Sequence, residues 1–219
     1  MRIRSFICGL TLSLHAWAGE APAPAAPDAE TKLAEAKARY EQGVEAYAAG
    51  RFKDAVDLFL EADRMSPSAP LSFNIARAYE KLGDDSGALR WYRDYLRRSP
   101  DAPNAKAVEE LVLRYEARLA RKGVQQLTVM SEPTGATVAV DQKPVGVTPW
   151  TGDLAPGAHR VDLTMRGYSD ATREIELASD RAQDLSVPLL VAPEPVEAPS
   201  APPPAPVIIA LGSGSKPES

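Results

Sequence analysis

The sequence offers little of the side-chain chemistry that enzymes and metal sites use. Its 219 residues contain one cysteine, Cys8, and two histidines, His15 and His159. Metal sites built on clusters of Cys and His are therefore excluded by number, as are disulfides within the chain. Neither a phosphate-binding Gly-x-x-x-x-Gly-Lys loop nor a Gly-x-Gly-x-x-Gly element occurs. We expect a protein that is not an enzyme and that needs no cofactor or metal.

His159 is the only imidazole beyond the first eighteen residues. A Ser-His-Asp arrangement would have to use it. It follows Pro156 and Gly157 at the predicted start of a strand, where turn residues give way to alternating apolar ones. This position favours a structural role at the rim of a β-domain.

Charge and hydrophobicity exclude two further classes. The chain has 25 Lys and Arg against 30 Asp and Glu, a net charge of -5 and a pI near 5.2, so nucleic-acid binding is not expected. The apolar runs at 6–14 and 207–211 are shorter than the roughly 20 residues of a membrane-spanning helix. We therefore expect no transmembrane segment in the mature chain.

The first eighteen residues have the features of a secretory signal. Arg2 and Arg4 precede the apolar run, and Ala-Trp-Ala at 16–18 fits the small-x-small cleavage pattern. This predicts a signal peptide over 1–18, a mature chain that begins at Gly19, and export from the cytoplasm.

Proline is abundant, with 20 residues that cluster at the two ends of the chain. Residues 19–28 are alanine, proline and acid, which predicts a flexible leader. Residues 192–219 predict a proline-rich, disordered tail. The role of the short apolar run at 207–211 within that tail stays open.

A repeat with a period of 33 residues occupies positions 38–100. Gly43, Gly50, Ala55, Phe59 and Pro67 are followed 33 positions later by Ala76, Gly83, Ala88, Tyr92 and Pro100. A unit of this size forms two helices, which bury their apolar face by stacking on the next unit. We predict helices at 29–49, 52–65, 70–82, 86–98 and 103–122. The last of these caps the stack, and residues 29–123 form one helical domain.

After Gly123 the apolar period changes from helical to two. Successive pairs with this spacing are Leu127 and Val129, Val138 and Val140, Val161 and Leu163, Ile175 and Leu177, and Leu185 and Val187. Turn residues separate them, so each pair marks a half-buried strand. The pattern predicts a small antiparallel β-sandwich over residues 124–191.

The helical half resembles tetratricopeptide repeats, because the small, aromatic and proline positions given above are those that this family keeps. Small residues such as Gly43 and Ala76 let paired helices approach closely, and Phe59 fills the space between repeats. The resemblance implies α-α helical hairpins that bind a partner protein or peptide.

The strand half resembles the PEGA domain, a small β-fold of exported bacterial proteins. The matching segments are Pro-Thr-Gly-Ala at 133–136, Pro-Val-Gly-Val-Thr-Pro at 144–149, Pro-Gly at 156–157 and Gly-Tyr at 167–168. Thr134 stands where the family has glutamate. Gln142 stands where it has the glycine of an Asp-Gly turn, which argues against a tight primed hairpin turn there.

The resemblance to tetratricopeptide repeats also implies where a partner binds, since ligand peptides of that family lie along the first helix of each pair. By that analogy the partner-binding residues are Tyr40, Val44 and Tyr47 in the first copy, and Phe73, Arg77, Glu80 and Lys81 in the second. Aromatic residues supply apolar area, and Arg77 and Lys81 could hold a carboxylate. Alternatively, Tyr40 and Phe73 pack against a neighbouring helix and the charges only face solvent.

The two resemblances together imply a non-enzymatic scaffold or adaptor in the periplasm or on the cell surface of a Gram-negative bacterium. Its helical groove would bind an envelope protein or peptide, and its β-domain would be a second interaction surface. The alternative is a module that binds cell-wall polymer or surface polysaccharide, with the helices as a spacer or dimerisation unit. Trp150 is the aromatic that could stack on sugar in that case; its other use is packing across an open sheet edge.

Overall fold

The computed structural model describes residues 29–193, which form two compact units that divide between Arg118 and Leu119. The first unit is helical and the second consists of strands, so the predicted order of a helical part followed by a β-part is confirmed. The predicted signal peptide at 1–18, the leader at 19–28 and the tail from residue 194 onwards lie outside the described residues.

The five described helices lie within two residues of their predicted limits. They are α1 Ala29–Ala48, α2 Phe52–Met65, α3 Ala69–Leu82, α4 Asp85–Arg98 and α5 Ala105–Arg121. Three of the helices are followed by a glycine, Gly50, Gly83 or Gly123, with a φ value of 74–75°. This left-handed conformation would cost a residue with an L side chain about 1–2 kcal/mol, so glycine is favoured there. Asp84 caps α4, and its carboxylate accepts a hydrogen bond of 2.9 Å from the Gly87 backbone N–H.

The close packing of α1 on α2 depends on the small residue of the first repeat. A Cβ placed on Gly43 would lie only 2.6 Å from the ring of Phe59, which is 1% exposed. In the second repeat Ala76, Ala88 and Tyr92 are fully buried. Gly43 therefore lets the paired helices of the first repeat approach closely, as predicted for a small residue.

A charged cluster joins α2, α3 and α4. Arg98 of α4 binds both carboxylate oxygens of Asp63 in α2, one of them at 3.0 Å. Its Nε lies 2.8 Å from Asp94, whose carboxylate accepts a 2.7 Å hydrogen bond from the Ser72 hydroxyl of α3. Because Asp63 is 7% exposed, the two-pronged arginine contact is what neutralises a buried carboxylate.

Seven strands form the second unit: β1 Gln125–Glu132, β2 Thr137–Val140, β3 Lys143–Val147, β4 Trp150–Leu154, β5 Gly157–Thr164, β6 Ala171–Leu177 and β7 Gln183–Pro188. They make a sheet of order β4-β1-β7 and another of order β3-β2-β5-β6. All pairs are antiparallel except β1 with β7. This parallel pair was not expected; it arises because the chain crosses between sheets after β6 and returns alongside β1.

The core of the second unit consists of the apolar residues that alternate along the strands. Leu127, Val129, Val138, Val161 and Leu163 are all fully buried. One face of each of these strands therefore points into a shared interior, as the period of two predicts.

The connection between β2 and β3 differs from expectation. Asp141 and Gln142 have φ values of 49° and 65°, and Val140 pairs with Lys143 on either side of them. Positive φ at both central residues is the signature of a primed two-residue turn, so the expectation that Gln142 prevents such a turn is wrong. Asp141 stabilises the turn by accepting the Arg160 backbone N–H at 3.0 Å.

Trp150 lies against two glycines of the second unit. A Cβ on Gly152 would overlap the indole ring, and a Cβ on Gly146 would lie 3.0 Å from its Cδ1. The ring is partly buried and packs against the core. Of the two roles considered for Trp150 from the sequence, stacking on sugar and packing within the β-domain, the structure shows packing.

Candidate functional site

A cavity of about 260 Å³ lies between α1 and α3, with α2 behind it. Its lining consists of Tyr40, Val44, Tyr47, Phe59, Phe73, Asn74 and Arg77. Positions 40, 44 and 47 are spaced by four and three residues, so one face of α1 presents all three. On α3, residues 73, 74 and 77 likewise lie on the side that faces the cavity. We call this space the groove cavity.

The aromatic walls of the groove cavity are supported from behind. The ring of Tyr40 lies 5.8 Å from that of Phe59, and Phe73 lies 5.9 Å from Tyr92 and 5.4 Å from Tyr95. These are favourable separations for aromatic pairs. Tyr40 and Phe73 therefore pack on neighbouring helices and also line the cavity.

Part of the apolar wall remains accessible. Val44 is 43% exposed and Tyr40 is 36% exposed. Exposed large apolar side chains that are adjacent to each other and to a concave surface are typical of interaction sites.

Four residues of the lining carry polar groups, namely Tyr40, Tyr47, Asn74 and Arg77. The Asn74 amide donates to the Tyr40 hydroxyl at 3.5 Å, and Arg77 is the only charged residue in the lining. The Tyr47 hydroxyl is buried and has no hydrogen-bond partner among residues 29–193. A buried hydroxyl without a partner is unfavourable for folding.

Glu80 and Lys81 lie outside the lining of the groove cavity. Glu80 accepts a 2.7 Å hydrogen bond from the buried Tyr92 hydroxyl and lies 3.7 Å from the Nε of Arg77. Burial, together with this carboxylate, raises the pKa of Tyr92. Glu80 is thus bonded to the aromatic core and makes only a weak, partly exposed ion pair with Arg77. Lys81 is exposed at the end of α3.

Sequence reasoning missed two lining residues. Phe59 was assigned to packing between the repeats, yet the same ring also reaches the cavity. Asn74 adjoins Phe73 and precedes Arg77 by three residues, so the helical spacing of the predicted set could have found it.

A second hollow of about 340 Å³ continues along α1 towards its start. Leu33, Ala36, Lys37, Tyr40, Ser66, Ser68, Pro70 and Leu71 line it. Tyr40 lines both hollows, so they adjoin each other along α1.

His159 makes no catalytic arrangement. Its Nδ1 lies 2.8 Å from an Asp141 carboxylate oxygen, and its Nε2 lies 2.7 Å from the Ala155 carbonyl oxygen. Hydrogen bonding to the Ala155 carbonyl, and then to Asp141, raises the pKa of His159. Because both ring nitrogens are occupied, the imidazole is not available to activate a nucleophile.

Within residues 29–193, no group of three or more His, Cys, Asp or Glu is arranged to hold a metal ion. None of the helices in this part of the chain has both the length and the apolar character that crossing a membrane requires.

Stacked helical hairpins with a lined groove, followed by a small β-sandwich, define a class of modular interaction protein. Comparison with protein families identifies both halves of the chain. The tetratricopeptide repeat model matches residues 23–70 and 40–103, and the PEGA domain model matches residues 124–191. The chain therefore carries tetratricopeptide repeats and a PEGA domain. Comparison with curated proteins finds no significant match.

The two families set the general character of the protein. Tetratricopeptide repeats are typically non-catalytic modules of protein–protein interaction. PEGA domains occur in extracellular or periplasmic proteins.

Proposed function

We propose that the protein is a non-enzymatic adaptor whose groove between α1 and α3 binds a segment of a partner protein. The main support for this proposal is that residues selected from the sequence lie together in the structure. Tyr40, Val44, Tyr47, Phe73 and Arg77, five of the seven residues chosen from the sequence, line one cavity. Glu80 lies beside Arg77 and bonds the Tyr92 hydroxyl, and Lys81 adds positive charge beyond the lining.

The proposed place of action is the bacterial envelope, in the periplasm or on the cell surface of a Gram-negative organism. The family membership of the β-unit and the signal-like first eighteen residues support export. The PEGA domain then serves as a second interaction surface, and the groove supplies the contact with an envelope protein or peptide.

The alternative, a module that binds wall polymer or polysaccharide, has less support. It relied on Trp150 as an exposed stacking platform, yet this ring is partly buried and rests on Gly146 and Gly152. Glycines beneath the ring indicate that its contacts are with the β-unit itself.

Site-specific photocrosslinking in cells that carry the full chain tests the adaptor proposal. A photoreactive amino acid at Val44, which lines the cavity and is 43% exposed, should yield a discrete protein adduct. The same group at Leu113, which is 65% exposed on α5, is the control and should not yield that adduct. The adduct at Val44 should also disappear when Phe73 is changed to Ala in the same chain.

Two outcomes would contradict the proposal. The first is an identical adduct pattern at both positions. The second is retention of the full chain on purified wall polymer together with no protein adduct at Val44, which would favour the polymer-binding alternative.

A further inference from the structure

The side of α1 that borders the groove cavity keeps a row of large apolar side chains at the surface. Leu33 is 60% exposed, Tyr40 is 36% exposed and Val44 is 43% exposed. Their spacings of seven and four residues place them along one side of the helix. Leu33 and Tyr40 line the second hollow, and Tyr40 and Val44 line the groove cavity. We call these three side chains the α1 stripe.

Charge interrupts the α1 stripe very little. Lys37 lies in the same row, and its Nζ lies 3.9 Å from a carboxylate oxygen of Glu41. A lysine so placed keeps its charged end in water while its methylene stem adds to the apolar surface. Contiguous apolar surface beside a hollow is unfavourable in water. The stripe therefore favours an apolar occupant.

The chain itself contains a segment of matching character. Residues 207–211 are Val-Ile-Ile-Ala-Leu. No charged residue lies between Glu197 and Lys216, so docking of this run on an apolar surface buries no charge. Five successive apolar residues are themselves unfavourable in water. The run and the α1 stripe are thus both stabilised when they cover each other.

The run also matches the α1 stripe in length. Its first three residues are β-branched and favour extended backbone, in which five residues span about 13 Å and alternate side chains point to one side. Leu33 and Val44 are about 16 Å apart along α1, at about 1.5 Å per residue. The two hollows have volumes of about 260 and 340 Å³. Each exceeds the roughly 150 Å³ of an apolar cavity that holds benzene, so each has room for an aliphatic side chain.

The connection to the run is long enough to give it wide reach. Residues 194–206 separate the run from the last described residue, and six of them are proline. A proline-rich chain extends by about 3.1 Å per residue, so this connection reaches up to about 40 Å. That exceeds the roughly 30 Å diameter of a small domain. A tethered segment of this kind has an effective concentration on the order of millimolar, so modest affinity is enough for it to bind.

We propose that residues 207–211 dock on the α1 stripe of their own chain and cover the groove until a partner displaces them. This rests on the proposed function, because it names how the partner-binding groove is regulated. A segment of five residues is held largely by its tether. A partner segment that makes more contacts therefore replaces it.

A spin label in the tail tests the proposal in the otherwise complete mature chain. Cys8 is the only cysteine, so a chain that begins at Gly19 takes a single label through Ser213→Cys. NMR then compares the backbone amide signals with the label active and reduced. Signals of residues 33–44 and 71–77 should lose intensity at least about twofold, because a tethered segment whose dissociation constant is millimolar or lower is bound at least half the time. Signals of α5 should change little.

Two pairs of variants tie the effect to the run and to the α1 stripe. Ile209→Asp places a charge in the run and should restore the groove signals, whereas Val196→Asp, the same change in the tail outside the run, should not. Val44→Asp places a charge in the stripe and should also restore them. Its matched control is Leu113→Asp, at an apolar residue of α5 that is 65% exposed, and it should leave the broadening unchanged.

A mixed sample separates docking within one chain from docking on a second copy. It combines isotope-labelled chain without the spin label and spin-labelled chain without the isotope. Groove broadening of equal strength in this mixture would assign the run to a second copy and overturn the proposal. Broadening that is absent from the groove, or that favours β3 with its exposed Val145 and Val147, would also overturn it.

The proposed function and the tail proposal fail in different ways. If both are correct, Ile209→Asp should raise the yield of the Val44 adduct several-fold, because it removes a tethered competitor. Loss of groove broadening in the parent chain contradicts the tail proposal and leaves the adduct as the evidence for the adaptor. Groove broadening without any protein adduct, in the parent chain and in Ile209→Asp, supports tail docking and contradicts the adaptor.

Discussion

The hydroxyl of Thr148 is the centre of a buried hydrogen-bond network in the PEGA domain, so replacing Thr148 by Val should destabilise that domain sharply. Thr148 is 3% exposed. Its Oγ1 accepts the backbone N–H groups of Gly135 at 3.0 Å and Ala136 at 3.1 Å. It also lies 2.5 Å from the Ser131 hydroxyl, which itself donates to the Pro133 carbonyl at 2.6 Å. Thr148 must therefore donate its own proton to Ser131.

The magnitude follows from what Thr148→Val leaves without a partner. Gly135 keeps a second acceptor, the Thr148 carbonyl oxygen at 3.0 Å, but the fully buried Ala136 N–H loses its acceptor. An unpaired buried donor costs about 1–3 kcal/mol, and the lost bond to Ser131 adds about 0.5–1.5 kcal/mol. Because valine and threonine have nearly the same shape, we expect a total loss of about 2–4 kcal/mol in the free energy of unfolding.

The assay is urea unfolding of the chain from Gly19, followed by the fluorescence of Trp150. A Trp91→Phe background removes the other tryptophan of residues 29–193, which lies in the helical unit. With a urea slope of about 1–2 kcal/mol/M, the midpoint should fall by at least about 1 M.

Two control variants make the Thr148 test decisive. Thr137→Val is an exposed change in β2 and should stay within about 0.5 kcal/mol, and Thr148→Ser retains the hydroxyl and should recover most of the loss. A loss below about 0.5 kcal/mol for Thr148→Val, or an equal loss for Thr148→Ser, would refute the network argument.

Three further predictions concern the same domain, each read from the Trp150 unfolding signal. Gln142→Gly should stabilise the domain by about 0.5–1 kcal/mol, because glycine tolerates the positive φ at some entropic cost. The control Lys143→Gly in the next strand should destabilise it, and a loss of stability for Gln142→Gly would contradict the strain assigned to this turn. Gly152→Ala should lower the free energy of unfolding by about 1–3 kcal/mol, because a Cβ there overlaps the indole ring of Trp150. The exposed change Glu174→Ala should change it little, and equal losses for the two variants would contradict the packing argument. Because hydrogen bonding raises the pKa of His159, its contribution to stability is complete below the unfolded pKa of about 6.5 and is lost as pH rises through the higher folded pKa. The melting temperature should therefore fall between pH 6 and pH 8.5, and His159→Gln should remove that fall; an unchanged fall in the variant would contradict the assignment.

Helix limits could be read closely from the sequence because local chemistry fixes them. Gly50 and Gly83 adopt the left-handed conformation after a helix, and the side chain of Asp84 caps the next one. Strand burial was equally local, since alternation decides which side chains face the interior.

Features that depend on distant parts of the chain could not be read in this way. The parallel pairing of β7 with β1 depends on a crossover between sheets, which alternation along a strand does not encode. The primed turn at Gln142 forms because flanking strands and the Asp141 carboxylate hold a conformation that local preference opposes.

The candidate site likewise contains residues that local spacing could predict and one that depends on a distant contact. Spacing along α1 placed Tyr40, Val44 and Tyr47 on one face, and the helical period alone was enough for that. The place of Glu80 depended on the Tyr92 hydroxyl that reaches it from α4, so it could not be predicted from the period of α3.

The way α1 is attached has a consequence for how occupancy could be detected. This helix supplies three residues of the groove cavity and packs mainly on α2 through the Gly43–Phe59 contact, whereas Arg98 fastens the stack at α2, α3 and α4. Stacked repeats open most readily where the fewest contacts fasten a helix. An occupant that bridges α1 to α3 would oppose the fraying of α1, so slowed amide hydrogen exchange along α1 would report that the groove is filled.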